Sequence, residues 1–241
     1  NGDFISSTHA KQTDKELAAN LTFRYQPSKN LEFGGMLSWH TQWPEKVING
    51  VVNAGGSIID SEAHQDPDDN TTTKSLTAYC DWRFDSKGNH LSLTYSDYKK
   101  DDDGKSKVSS ITTMKGFESD VDYHIQSARL DLTLPFPFAT IDVGGSYTDI
   151  RNHANINTQQ FNTLSSVSYE GDILDYQEKT KAAYLSLRHD WDKFAIKAGL
   201  RYEHIGWDED AKVNSTIRYL GLSAMINEKS KDYWLPSLSH L

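Results

Sequence analysis

Four times along 241 residues the sequence runs the same course: an alternating apolar–polar segment, a tight turn, a second alternating segment, then a long polar span. The first segment sets Leu17, Ala19, Leu21, Phe23 and Tyr25 on one side and Ala18, Asn20, Thr22 and Arg24 on the other. After Pro27-Ser28-Lys29-Asn30 the second sets Leu31, Phe33, Gly35, Leu37 and Trp39 against Glu32, Gly34, Met36 and Ser38. A period of two belongs to strands, and neither segment carries the three- and four-residue apolar spacing of a helix. The next hairpin places Leu76, Ala78, Cys80, Trp82, Phe84 and then Leu91, Leu93, Tyr95 on the apolar side, around an Asp85-Ser86-Lys87-Gly88-Asn89 turn. The third runs through Ala128, Leu130, Leu132 and Leu134, breaks at Pro135 and Pro137, which cannot donate to a ladder, and returns through Ile141, Val143, Gly145 and Tyr147. The fourth sets Ala183, Leu185 and Leu187 before Asp190-Trp191-Asp192-Lys193 and Phe194, Ile196, Ala198, Leu200 and Tyr202 after it.

What the two sides carry narrows the choice further. The polar side holds mixed charge at mid-strand, including Arg24, Glu32, Asp81, Arg83, Arg129, Asp131, Asp142, Arg188, Lys197, Arg201 and Glu203. The lipid face of a membrane barrel forbids such charge by about 2–4 kcal/mol per Arg or Lys at mid-plane, while its interior accepts it. Aromatic residues collect near strand ends (Tyr25, Trp39, Trp43, Trp82, Phe84, Tyr95, Phe136, Phe138, Trp191, Phe194, Tyr202, Trp207), where amphipathic rings suit headgroup depth. The hairpins occupy roughly 15–40, 74–98, 123–149 and 177–207, each strand close to the 9–11 tilted residues, roughly, that cross a bilayer. The spans 40–73, 99–122, 151–175 and 208–231 read as polar loops, all at one end, and loops above about 12–15 residues are uncommon in compact soluble domains. Hydrophobic residues make up only 37% of the chain, which a barrel tolerates because only every second strand residue meets lipid. No run of about 18 apolar residues exists, so a membrane-crossing helix is excluded. The expected fold is all-β: an antiparallel up-and-down transmembrane β-barrel segment of eight strands plus the start of a ninth at 232–241, forming one partial barrel domain over 1–241.

Short turns mark the periplasmic side of such barrels and long loops the extracellular side. On that rule residues 1–14 belong to the extracellular side. The chain lacks an initial Met and stops in mid-pattern, so it is expected to be an internal arc of a larger barrel. The net charge of −9, without a basic cluster, argues against nucleic acid as a partner. The single cysteine, Cys80, allows no intrachain disulfide and reads as a small apolar-side residue.

Three segments carry a family resemblance: Lys181-Ala182-Ala183-Tyr184, Gly199-Leu200-Arg201-Tyr202-Glu203 and Asp232-Tyr233-Trp234-Leu235-Pro236-Ser237-Leu238. They resemble the barrel of TonB-dependent outer-membrane receptors, in particular the outer-membrane β-barrel family common in Bacteroidetes. Leu235 stands where that family has an aromatic before the proline. The match covers roughly the last quarter of the chain, and the hairpin rhythm extends it over the rest. The resemblance implies a Gram-negative outer membrane, a barrel of many more strands, and an N-terminal plug, absent here, that engages an energy-transducing inner-membrane partner. It also implies uptake of a scarce, bulky nutrient such as a siderophore, cobalamin or a glycan. The expected partners are therefore outer-membrane lipid, that inner-membrane protein and a nutrient ligand. No substrate-binding, catalytic, metal or cofactor residue carries over by motif, and none is assigned.

Other constellations are weaker. The nine histidines form no close zinc-type pair. Asp101-Asp102-Asp103-Gly104 looks like part of a calcium loop but lacks the downstream bidentate Glu and reads as a solvated loop tip, as does Asp208-Glu209-Asp210. The acidic stretch at 66–69 ends the first polar span. Gly34-Gly35 and Gly144-Gly145 lie within strands, where glycine marks bends or close packing. Two alternatives stay open. One is a soluble or surface β-sheet module binding carbohydrate or protein through Trp39, Trp43, Trp191 and Trp207. The other is an outer-membrane enzyme built on a loop-base pair such as His153 with Asp149.

Overall fold

Because side chains alternate across a strand, in-register pairing of the hairpins gathers their alternating Leu-, Phe- and Trp-rich positions onto one face. The computed structural model shows this directly; it describes residues 5–54, 57–65, 69–85, 87–110, 113–162, 165–192, 194–212 and 229–240. Ten strands follow one another: β1 (Ile5–Ser28), β2 (Leu31–Ala54), β3 (Ser57–Gln65), β4 (Asn70–Arg83), β5 (His90–Ser110), β6 (Thr113–Pro135), β7 (Thr140–Asn162), β8 (Ser165–Asp190), β9 (Ala195–Lys212) and β10 (Ser230–His240). All pair antiparallel in a single sheet whose ends, β1 and β10, do not meet. β3 and β4 share one place in it, between β2 and β5: β3 pairs with their upper halves and β4 with their lower halves. The sheet is thus nine strands wide, with its third strand interrupted around Asp69. Pro44 on β2 cannot donate at that level, and the Asp69 carboxylate accepts the Lys105 N–H at 2.6 Å, doing for β5 what a strand carbonyl would do. Residues 66–68 of the acidic stretch, residues 213–228 of the last polar span and the side chains of Glu209 and Asp210 lie outside the described residues.

The spans 40–73, 99–122 and 151–175, expected from sequence to be polar loops, run instead as paired strand over most of their length. β1 has 24 residues, β6 has 23 and β8 has 26, more than twice what a bilayer crossing takes (about 9–11). The physical reason is an inversion of polarity. Above Tyr95 the outward positions turn charged (Asp97, Lys99), while the inward ones turn aromatic or aliphatic: Tyr98, Tyr123, Ile125, Ile150, Ile205 and Trp207. The alternation continues with its phase reversed, which in a linear sequence looks like its end. Tyr98 and Tyr123 make an edge-on ring contact at 6.4 Å, and Trp207 donates to Glu178 at 3.2 Å. The Asp101-Asp102-Asp103-Gly104 run lies in β5, so the pleat sends Asp102 to one face and its neighbours to the other. It is strand, not a loop tip, and cannot wrap a cation as a calcium loop does.

In the membrane-crossing part, one row of outward residues crosses all nine strand places: Tyr25, Phe33, Cys80, Leu93, Leu130, Gly145, Ala183, Tyr202, Trp234. The upper limit of the apolar side drifts along the sheet. It lies at Leu17 on β1 and at Trp234 on β10, whose row meets β1 at Tyr25, eight residues further along. That is one residue per strand step. A rise of about 3.3 Å per residue against about 4.8 Å between strands sets the apolar band at about 35° to the rows, the tilt a closed barrel imposes on its strands.

No second layer covers the apolar face. Leu21 is 61% exposed, Leu185 55% and Leu238 79%, and the buried apolar residues are three alanines among the described residues. The accessible surface is 16912 Å², against about 10,900 Å² for a compact soluble monomer of this mass. On the polar face, by contrast, Ala182 and Ser186 are buried between their larger neighbours.

The strand glycines have a packing role. Gly34 pairs with Tyr79 and Gly144 with Tyr184, and in each case the tyrosine ring lies over the glycine. A Cβ on Gly34 would come within 2.4 Å of the Tyr79 ring, whose hydroxyl donates to Glu32 at 2.8 Å. Moving the ring away would break that bond. Gly34→Ala is expected to destabilise the folded protein by about 1–3 kcal/mol. In a Tyr79→Ala background most of that cost should vanish; thermal melts of the four proteins of the double-mutant cycle measure it, and strict additivity would contradict the ring-over-glycine account.

Candidate functional site

The inward face of the crossing strands is a set of charge-assisted bridges. Arg24 donates to Glu32 at 2.6 Å, and Glu32 also takes the Tyr79 hydroxyl, joining β1, β2 and β4. Arg129 grips Asp131 with two donors (2.7 and 3.0 Å) and lies against the Tyr184 ring. Asp142 accepts from Thr133, Ser186 and Lys197 at 3.0, 3.1 and 2.8 Å, so one carboxylate ties β7 to β6, β8 and β9. Arg201 pairs with Glu203. Every one of these charges has a partner on the same face, which is what an enclosed, partly hydrated wall needs.

The family-like segments turn out to be cross-strand partners. Glu203 faces Tyr233, Tyr202 faces Trp234, Arg201 faces Leu235 and Gly199 faces Ser237. Tyr202 packs on Trp234 with ring centres 4.9 Å apart and donates to Asp232 at 2.7 Å. A Cβ on Gly199 would sit 2.9 Å from the Ser237 hydroxyl and 3.1 Å from Ser186. The motif is a hairpin-packing signature.

The outward face above the apolar band carries a second polar system. His153 bonds Asp175 at 2.6 Å across β7 and β8, while Asp149 takes Arg151 at 2.9 Å and Gln177 at 2.9 Å. The His153–Asp149 pair considered from sequence is therefore not formed: each member is committed to another residue, and no nucleophile joins them. The four tryptophans do not form a platform either. Trp39 and Trp43 face outward, Trp207 faces inward, and Trp191 stacks on Phe194 at the tight-turn end, 4.5 Å between centres. Phe136 stacks on Phe138 at that same end. Tyr95, Tyr147 and Tyr202 mark the upper limit of the apolar band, so aromatic rings border it above and below. Among the described residues no three His, Cys, Asp or Glu side chains converge as a metal would require.

A family model of outer membrane protein β-barrels matches residues 82–240. The chain belongs to the outer membrane protein β-barrel family. Its place is the outer membrane, and the apolar band of this barrel segment is its lipid-facing surface. No curated protein matches the sequence. Among solved structures the segment is similar to the unliganded ferric citrate transporter FecA (12% identity, TM-score 0.48, covering 98% of this chain and 41% of that one). It is also similar to the ferric yersiniabactin uptake receptor FyuA from Yersinia pestis (10%, 0.45, 98% and 42%) and to the siderophore receptor PiuA from Acinetobacter baumannii (10%, 0.47, 100% and 46%). The chain spans less than half the length of each.

Charged groups above the band are shifted by their neighbours, His153, Asp149 and Asp122 among them. The Asp175 hydrogen bond holds the His153 imidazolium above its ordinary value, helped by the nearby charges of Asp120 and Asp122. The Arg151 and Gln177 bonds hold Asp149 below the usual carboxylate range. Burial, and then the shared hydrogen bond with Asp101, raises Asp122. Because the His153 value is raised on folding, its contribution is full below the unfolded value and is lost as pH climbs through the folded one. The Asp149 contribution runs the other way, lost as pH falls through its lowered value. Hydrogen-exchange protection of the upper β7–β8 ladder is expected to drop as pH rises past the ordinary histidine value of about 6.5. That drop should disappear in His153→Gln; an identical pH profile in the variant would contradict the assignment.

Proposed function

We propose that this chain is part of the barrel wall of an active-transport receptor that imports a scarce, bulky nutrient across the outer membrane. Energy comes from an inner-membrane partner acting through a plug inside the barrel, and the chain carries no catalytic role. One observation supports this above the others: a single-layer sheet with an unsealed apolar band outside and an inner face laced by ion pairs such as Arg24–Glu32, Arg129–Asp131, Asp142–Lys197 and Arg201–Glu203. A wall of that kind needs lipid on one side and an enclosed filling on the other. The Gly199–Glu203 and Asp232–Leu238 hairpin adds the resemblance to receptors of this type. Residues 1–241 form one partial barrel domain, the tight turns at residues 29–30, 84–89, 136–139 and 191–194 face the periplasm, and the extended strands rise outside the cell as a paired collar around the mouth.

The lone cysteine offers a direct test of the wall. Cys80 lies on the outward apolar side, midway along the alternating positions Leu76, Ala78, Cys80, Trp82 and Phe84. In intact outer membranes it should resist a charged, water-soluble maleimide and accept an apolar one from the bilayer. Rapid labelling by the charged reagent without denaturant would point instead to a soluble sheet. For transport, cells expressing the intact protein should accumulate a member of a panel of ferric chelates, cobalamins and oligosaccharides only while the inner membrane is energised. Accumulation that persists after the proton gradient is collapsed would remove active transport and leave a passive pore or a binding module.

A further inference from the structure

The chain as a whole is acidic, with a net charge of −9, yet one belt of it is not. In the first two outward positions above the apolar limit of each strand stand Lys15, Lys74, Lys99, Arg151, Lys179 and Lys181, against Asp97, Asp149 and Asp232. Higher up the same face the charge turns acidic, through Asp101, Asp103, Asp120 and Asp122. Cations gather at a single depth, where an acyl-chain zone gives way to headgroups.

They converge most closely between β8, β9 and the start of β10. Lys181 pairs across the ladder with His204, and Lys179 with Gly206. A recess of about 260 Å³ opens there, bounded by Lys179, Lys181, His204, Gly206 and Lys229, with Asp208 as its carboxylate. Gly206 leaves the floor open: the nearest atom to a Cβ there would be the Lys229 carbonyl at 3.8 Å. Lys229 is held at the rim by its carbonyl, which accepts the Trp207 N–H at 2.8 Å. Two of the nearby acids are already engaged, Asp232 by His204 and Tyr202, and Asp149 by Arg151 and Gln177, so Asp208 stands as one carboxylate against the three lysines. Three lysines against one carboxylate leave the lining of this recess with an excess of positive charge, which favours an anionic ligand. Directly below lie Ala183, Tyr202 and Trp234, an apolar surface on which an acyl chain can rest.

We infer that this recess binds the phosphate of a phosphorylated glycolipid of the outer leaflet, with its acyl chains lying down the Ala183–Tyr202–Trp234 surface. The inference rests on the lipid-facing assignment of the apolar band and on the orientation proposed above, but not on transport. Each lysine near a lipid surface is worth about a five-fold change in affinity.

The test is native mass spectrometry of the intact protein in mild detergent, titrated with diphosphorylated lipid A and with its dephosphorylated counterpart. The wild type should retain the diphosphorylated lipid preferentially. Lys179→Gln, Lys181→Gln and Lys229→Gln should each weaken it about five-fold, and the triple variant roughly a hundred-fold, with the dephosphorylated lipid unchanged and heat-modifiable migration retained as the sign of an intact barrel. If the variants hold the diphosphorylated lipid as tightly as the wild type, the recess is not its site. If inorganic phosphate binds as strongly as the lipid, the ligand is a free anion and the lipid assignment falls. If neither lipid is retained by a heat-modifiable wild type, the recess proposal fails while the barrel stands; if the wild type also lacks heat-modifiable migration, the barrel reading fails with it.

Discussion

The antiparallel ladder is the interaction on which everything else depends. In hydrocarbon an unpaired backbone N–H or C=O costs several kcal/mol, so a chain crosses as strands only if each strand is paired along its whole passage. Here the register from β5 to β10 runs with a single irregularity, near Ile156. That continuity keeps the two faces distinct over six strands, and their separation is what gives the chain a lipid side and an ionic side. One inserted residue in any of them would send arginines and aspartates toward acyl chains.

The ionic bridges and the glycines follow from the same constraint. A strand held flat to its neighbours leaves room on the inner face only if some positions carry no side chain, and Gly34 and Gly144 provide it beneath Tyr79 and Tyr184. The rings in turn aim hydroxyls at Glu32 and Arg129, so packing and charge pairing are one arrangement. Asp142 shows how far it reaches, since its three donors come from three different strands.

Beyond the bilayer the rules change and the same ladder continues. Outward positions no longer meet lipid, so Asp97, Lys99, Arg151 and His153 are tolerated there, and Tyr98, Tyr123, Ile150 and Trp207 move to the inside. Alternation was legible in the crossing segments because Leu17–Tyr25 or Leu185–Leu200 keep one phase; it was lost above them because the phase reverses, and 99–122 then reads as a loop though its residues pair strand to strand. The His153–Asp149 pairing failed for a related reason. Two residues four apart on a strand share a face, but Asp175 across the ladder and Arg151 between them on the same strand lie closer to hand, and sequence alone does not give register.

From the sequence alone came the period of two, the four tight-turn hairpins, the division into a greasy side and a charged side, and the likeness of the last hairpin to outer-membrane receptors. These are local properties, set by which residue types sit two apart and by turn chemistry. The tertiary structure decided that β3 and β4 fill one place in the sheet, that the apolar band slants by one residue per strand, that tyrosines cover glycines, and that three lysines meet around one recess. Each of those depends on which residues stand side by side on different strands, a relation between distant parts of the chain that only pairing establishes.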